Sequence, residues 1–182
     1  MLKSGDSYSA PSGSGFTVIE GPAENAGARI VFDRVMPPGK EKADPHVHLD
    51  CDQRYKILSG SATIEVSGST RTLAAGEVIE IPRNTRHQDP YNVSGSELRL
   101  RVAIAPRPPF IDAFGRALAE GYQSGGLNAQ DELPILKILV LTRAFGGQSF
   151  RAGLPIAIQK AMLPGAAALG RLLGHRLPSV RA

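Results

Sequence analysis

The stretch Pro45-His46-Val47-His48-Leu49-Asp50-Cys51-Asp52-Gln53-Arg54-Tyr55-Lys56-Ile57-Leu58-Ser59-Gly60 decides how this chain is read. Side chains two apart on a strand point the same way. His46 and His48 therefore aim at one side of Pro45–Leu49, close enough to share a ligand. A short loop follows. Gln53, Tyr55 and Ile57 then fall on one face of the next strand, with Arg54 and Lys56 on the other. An apolar and amide face backed by a cationic one is the pattern of a strand with one side buried and one side wet.

Outward from this stretch the same short period continues. Strands are expected at Phe16–Glu20, Arg29–Met36, Ala62–Val66, Thr70–Leu73, Val78–Ile81, His87–Pro90 and Glu97–Ala105, besides Pro45–Leu49 and Gln53–Leu58. The breaks PPGK, SGS, SGST, AAGE and VSGS supply the Gly and Ser of turns. Many short strands at such spacing indicate a sandwich or barrel. After Pro108-Pro109 the period changes. Phe110, Phe114, Leu118 and Tyr122 repeat every four residues, the spacing of one helical face. Leu133–Phe145 and Leu154–His175 read as apolar helices, with Pro164 expected to break or kink the second. The expected division is a loose N-terminal segment at 1–14, a β-barrel at 15–107 and a helical extension at 108–182.

A second cluster lies downstream, in Gly76, Pro82-Arg83-Asn84-Thr85-Arg86 and His87. With Gly39, His46, His48, Gln53 and Gly60 it resembles the two motifs of the cupin superfamily. The first motif is Gly, then His-x-His, three or four residues, Glu, six residues, Gly. Here four residues separate His48 from Gln53 and six separate Gln53 from Gly60. The second motif is Gly, five residues, Pro-x-Gly, two residues, His, and the gaps here match. The resemblance spans Phe16 to Ala105. It implies a mainly β fold, the cupin double-stranded β-helix or jelly-roll barrel, with a divalent metal held by His46, His48, His87 and the residue at position 53. Gly39 stands one residue further from His46 than usual. Asn84 replaces a glycine, a tolerable exchange because Asn accepts left-handed backbone.

The third departure is chemical, since Gln53 occupies the place of the family's glutamate. Three neutral imidazoles and an amide leave the charge of a bound dication uncompensated by protein. Such a site is expected to attract an anionic ligand. The amide oxygen is a weaker donor, so Gln53 either ligates or stands behind the ligands. Imidazole-rich sites suit Fe, Zn, Ni and Cu, with Mn admissible. Fe(II) is favoured because three-histidine cupins include iron dioxygenases, which is an analogy of fold.

Tyr55 shares the face of Gln53 and is the candidate catalytic residue, as a proton donor or base, against the alternative of an aromatic that fills the barrel. Cys51 reads as a plain loop residue rather than a thiolate ligand. Arg99 and Arg101 share one face of the last strand and Leu98, Leu100, Val102 and Ile104 the other, so the arginines are expected to face outward. His175 reads as a charge at the end of a tail helix.

Composition narrows the classes of function. A single cysteine excludes a disulfide framework and points to a reducing, cytoplasmic setting. The start of the chain lacks the apolar core of a secretory signal. From Leu133 on the chain carries Lys137, Arg143, Arg151, Lys160, Arg171, Arg176 and Arg181 without one acidic residue, so the formal net charge of +4 belongs to the tail. Its basic residues are not interleaved with aromatics, and no nucleic-acid partner is expected. Packing on the barrel, a homodimer contact and peripheral contact with an anionic membrane are the three uses expected for the tail, in that order. The tail, with Gly170-Arg171-Leu172-Leu173-Gly174, also resembles that of bacterial cupin proteins that end in apolar helices. The expected activity is that of a metal-dependent enzyme on a small anionic organic substrate, by dioxygenation or metal-assisted proton transfer. The alternative is a non-catalytic module that binds a small molecule.

Overall fold

The structure is a computed structural model that describes residues 2–39, 44–128 and 131–178. Arg181, counted above with the basic tail, lies outside the described residues. Eleven strands are described: β1 (Ser7–Ser9), β2 (Gly15–Glu20), β3 (Ile30–Met36), β4 (His46–His48), β5 (Asp52–Ser59), β6 (Ser61–Val66), β7 (Ser69–Ala74), β8 (Val78–Ile81), β9 (His87–Tyr91), β10 (Leu98–Ala105) and β11 (Ser149–Arg151). The helices are α1 (Pro109–Ser124), α2 (Ile135–Phe145) and α3 (Ile156–Leu172).

The strands form two antiparallel sheets, ordered β1-β2-β3-β10-β5-β8 and β11-β4-β9-β6-β7. Alternation along each strand decides what lies between them. Leu98, Leu100, Val102 and Ile104 of β10 are buried, as are Gln53, Tyr55 and Ile57 of β5 and Ala62 and Ile64 of β6. All of these except Gln53 join Val18, Ile30, Leu73 and Ile81 in one hydrophobic core. The outward faces are polar. Arg101 makes a bidentate pair with Asp33 at 2.7 and 2.9 Å, and Arg99 reaches Glu97 at 2.7 Å. Outward exposure of both arginines is therefore the outcome.

Two turns carry the motif spacing. Gly60 has φ +78° between β5 and β6, and a Cβ there would stand 2.5 Å from the Glu97 carbonyl oxygen. Asn84 takes φ +66°, the left-handed backbone expected of it, and its N–H donates to the His48 carbonyl oxygen at 2.7 Å. The turn before β9 is thereby tied to β4.

All nine expected strands occur, with ends shifted by a residue or two. Two three-residue strands were not expected. Within the segment 1–14, expected to be loose, β1 pairs with β2 in the register Tyr8↔Phe16, and the two rings meet at 5.3 Å. In the tail, β11 pairs with β4 in the register Phe150↔Val47. Three residues show too little alternation to be read locally, and each strand exists because an edge is there to receive it. The 108–182 segment is therefore not helical throughout.

The helices cover the barrel in layers. Ala119, Ile111, Leu118 and Tyr122 of α1 pack on the barrel core. Phe110, Ala113 and Ala117 of the same helix join Leu133 and Leu141 in a second cluster. The outermost helix, α3, lies on α2, and a Cβ at Gly170 would stand 2.8 Å from Val140 Cγ2. Pro164 was expected to break or kink this helix; it sits inside one unbroken helix. Ile158, Met162, Leu169 and Leu172 of α3 remain exposed. No described helix is long and apolar enough to cross a membrane.

Candidate metal centre

The site lies between the sheets, and its three histidines come from two strands. His46 and His48 come from β4. His87 comes from β9, directly opposite His46 in the register. The ring centroids are 4.8 Å apart for His46–His48, 4.5 Å for His46–His87 and 5.5 Å for His48–His87. Each ring offers one nitrogen, and the three nitrogens lie within 4.8 Å of one another. These residues could hold a metal ion.

The rest of each ring shows which nitrogen is free. His46 Nδ1 lies 2.9 Å from the Asp44 carbonyl oxygen, and His87 Nδ1 lies 2.9 Å from that of Thr85. A carbonyl only accepts, so Nδ1 of both rings must carry the hydrogen. His48 Nδ1 lies 2.6 Å from Ser149 Oγ, which can accept in the same way. Fixing the hydrogen on Nδ1 leaves the lone pair on Nε2, the tautomer a metal ligand needs. The Nε2 atoms of His48 and His87 are buried without a partner, as is Gln53 Oε1. Buried polar atoms without partners are costly, and a cation would satisfy them. The donor set therefore fits a divalent ion.

Burial acts on these rings in the same sense. It pushes His48 down to about 3, helped by neighbouring His46, and it lowers His87. Both rings are neutral at ordinary pH, as ligation requires.

A carboxylate that sequence reading missed completes the cluster. Asp89 Oδ1 lies 3.8 Å from Nε2 of both His46 and His87. Tyr55 donates its hydroxyl to the same oxygen at 2.6 Å, across the space between the sheets. Burial alone would raise the Asp89 carboxyl, but His46, His87 and the Tyr55 hydrogen bond hold it well below the usual carboxylate range. Burial and the Asp89 charge push the Tyr55 hydroxyl well above its ordinary value. The expectation of a site without protein charge is thus corrected: the negative charge absent at position 53 is present at position 89. The signal was available, because Asp89 follows His87 by two residues, the spacing that joins His46 to His48.

Two further residues were also missed. Ser149 holds His48 from 101 residues away, and no local pattern announces it. Arg34 pairs with Phe16 and with Leu100 in register, which puts it on the inner face of β3. Its charge favours ionisation of both Asp89 and Tyr55. The inward arginine is therefore Arg34, whereas Arg99 and Arg101 point out. Cys51 is buried in the core with its thiol pushed up to about 12 by burial and by Asp50, so it carries no thiolate. His175 lies apart from the centre, beside Glu120 and Lys137 in a groove of about 210 Å³ between the helices. The members of the centre that keep exposure are His46 and Asp89, with 19% and 29% of their side chains accessible. His48 and His87 are buried, so access lies over the first pair.

Residues 32–104 match the family model of the Cupin domain, and this part of the chain supplies strands to both antiparallel sheets. Among solved structures it is similar to a predicted oxalate decarboxylase from Thermotoga maritima, with 21% identity over 51% of this chain and 80% of that one, at a TM-score of 0.46. It is similar to KdgF from Halomonas sp., with 19% identity over 56% of this chain and 86% of that one, at a TM-score of 0.47. A Cupin 2 conserved barrel domain protein from Salinispora arenicola has 20% identity over 54% of this chain and 80% of that one, at a TM-score of 0.44. No curated protein matches it.

Proposed function

We propose that this chain is a metal-dependent enzyme acting on a small anionic organic substrate, with His46, His48 and His87 holding a divalent ion. One observation carries the reading: each ring is tied at Nδ1, leaving Nε2 for the centre, where two of these atoms are buried without partners. When bound, the ion would supply a Lewis acid for an oxygen atom of substrate or, as Fe(II), a redox centre toward O₂. The protein's part is positional. Thr85, Asp44 and Ser149 orient the rings, and Tyr55 holds Asp89 in place. Tyr55 is buried and its hydroxyl is committed to Asp89, so it serves here as a positioning residue rather than a proton donor to substrate. Arg34, on the inner face, supports an anionic substrate, since a guanidinium matches a carboxylate in charge and shape. Fe(II) stays the favoured ion, and Mn, Ni, Zn and Cu suit the same donors.

The test begins with elemental analysis of protein purified without chelator, where about one divalent ion per chain is expected. Protein that carries none, and takes up none of the five metals, ends this reading. Anaerobic reconstitution with Fe(II), followed by oxygen uptake with catechols, diketones, thiols and keto acids, then tests catalysis. The enclosure of His48 and His87 favours a second reading, a module that binds a small molecule without turnover. Thermal stabilisation by a ligand with no turnover in any panel would establish it.

A further inference from the structure

We infer that Asp89 is itself a ligand of the ion, taking over from β9 the carboxylate role that the family gives to the position of Gln53 on β5. The inference rests on the metal reading above. Three observations lead to it. Asp89 stands two residues after His87 on one strand, so both side chains enter the centre from the same face. Its Oδ1 is 3.8 Å from two of the three Nε2 atoms, and two metal–ligand bonds of roughly 2.1 Å each can span up to roughly 4.2 Å. The Tyr55 hydroxyl grips that same oxygen at 2.6 Å and fixes its direction. Ligating carboxylates are commonly hydrogen-bonded from behind in this way. Charge supports the assignment. A dication enclosed by three neutral rings and an amide would have no counter-charge, and a buried charge is tolerated when paired. Gln53 Oε1 remains available as a weak neutral donor beside it.

The experiment compares wild type, Asp89→Asn and Gln53→Ala by calorimetric titration with Zn²⁺ and by the visible absorption of the Co²⁺ form. Asparagine keeps the shape and still accepts from Tyr55. Asp89→Asn should weaken Zn²⁺ binding by at least about 10–100-fold, the loss seen even when outer partners of a site are removed, and should change the Co²⁺ bands. Gln53→Ala should cost less than Asp89→Asn. Should Asp89→Asn fail to fold, the infrared difference spectrum of the wild type on Zn²⁺ addition decides, since a ligating carboxylate shifts its stretching bands. Unchanged affinity and unchanged Co²⁺ bands in Asp89→Asn, or no carboxylate band in the wild-type difference spectrum, overturn the inference while leaving the three-histidine reading intact. A wild type that binds neither ion overturns both.

Discussion

The segment from Gly15 to Ala105 and the segment from Pro109 onward are built by different rules. The first is a set of strands whose apolar residues alternate and whose partners are other strands of the barrel. The second buries α1 on the barrel, returns for three residues between α2 and α3 to lengthen the sheet that carries the histidines, and stacks α3 on α2. The first segment supplies the three imidazoles grouped as a candidate metal site among the described residues. The second supplies Ser149, which points one of those rings. A donor set and its orientation are thus separable, and they come from parts of the chain that share no local pattern.

The sharpest way to break this division is to remove a donor. His46→Ala or His87→Ala should abolish metal loading, measured by elemental analysis, while circular dichroism still reports the strands. If either variant loads normally, the barrel segment does not hold the ion. A chain ending at Phe145 keeps α1 and α2 but loses β11 and α3. It should show metal affinity lowered by about 10–100-fold together with a lower melting temperature, because β4 loses a strand partner and His48 loses Ser149. Equal affinity and equal stability would show that the tail merely decorates the barrel.

Acid separates the two regions in another way. His48 and His87 have lowered pKa values in the fold, so below pH 6.5 the unfolded chain binds protons that the folded chain refuses. Stability is therefore fully present above about pH 6.5 and declines as the pH falls below it, by up to about 1.4 kcal/mol per pH unit for each such histidine. Asp89, whose pKa is lowered, adds loss only below the ordinary carboxylate range. Denaturant melts of metal-free protein between pH 7 and pH 4.5 should show this slope, and His48→Asn should flatten it. Ser149→Ala alone should weaken Zn²⁺ binding by about tenfold with the melting temperature nearly unchanged. Arg101→Ala, on the outer face of the barrel, should shift stability by no more than about 1 kcal/mol, as exposed ion pairs do. A larger loss would mean that the outer face contributes more than solvated pairs.

Legibility in the sequence follows the same line. Strands of four or more residues announced themselves by short period and turn residues, α1 by a four-residue repeat, and α2 and α3 by apolar runs. The His46–His48 pair could be placed because two residues on one strand fix their own geometry. Asp89 obeys the same rule beside His87 and was legible there. Arg34 was hidden because its inward face is set by its register with Phe16 and Leu100, not by the sequence of β3. β11 and Ser149 could not be read at all, since their placement depends on an open edge at β4. Pro164 removes one hydrogen bond from α3, and the packing of Ala167 and Gly170 on α2 keeps the helix continuous despite it.

The pairing of β11 with β4 also sets an order in time. Ser149 follows His48 by 101 residues. At a ribosomal rate of about 5–20 residues per second, His48 waits about 5–20 s for the hydroxyl that orients it. Until β11 is made, β4 can have only β9 beside it, and an unpaired strand edge is a surface to which other chains can add. The finished centre is therefore a late product of synthesis. A chain interrupted before residue 149 would display the histidines while lacking both the pin and the cap, which makes the last fifth of the molecule a checkpoint on the completeness of the rest.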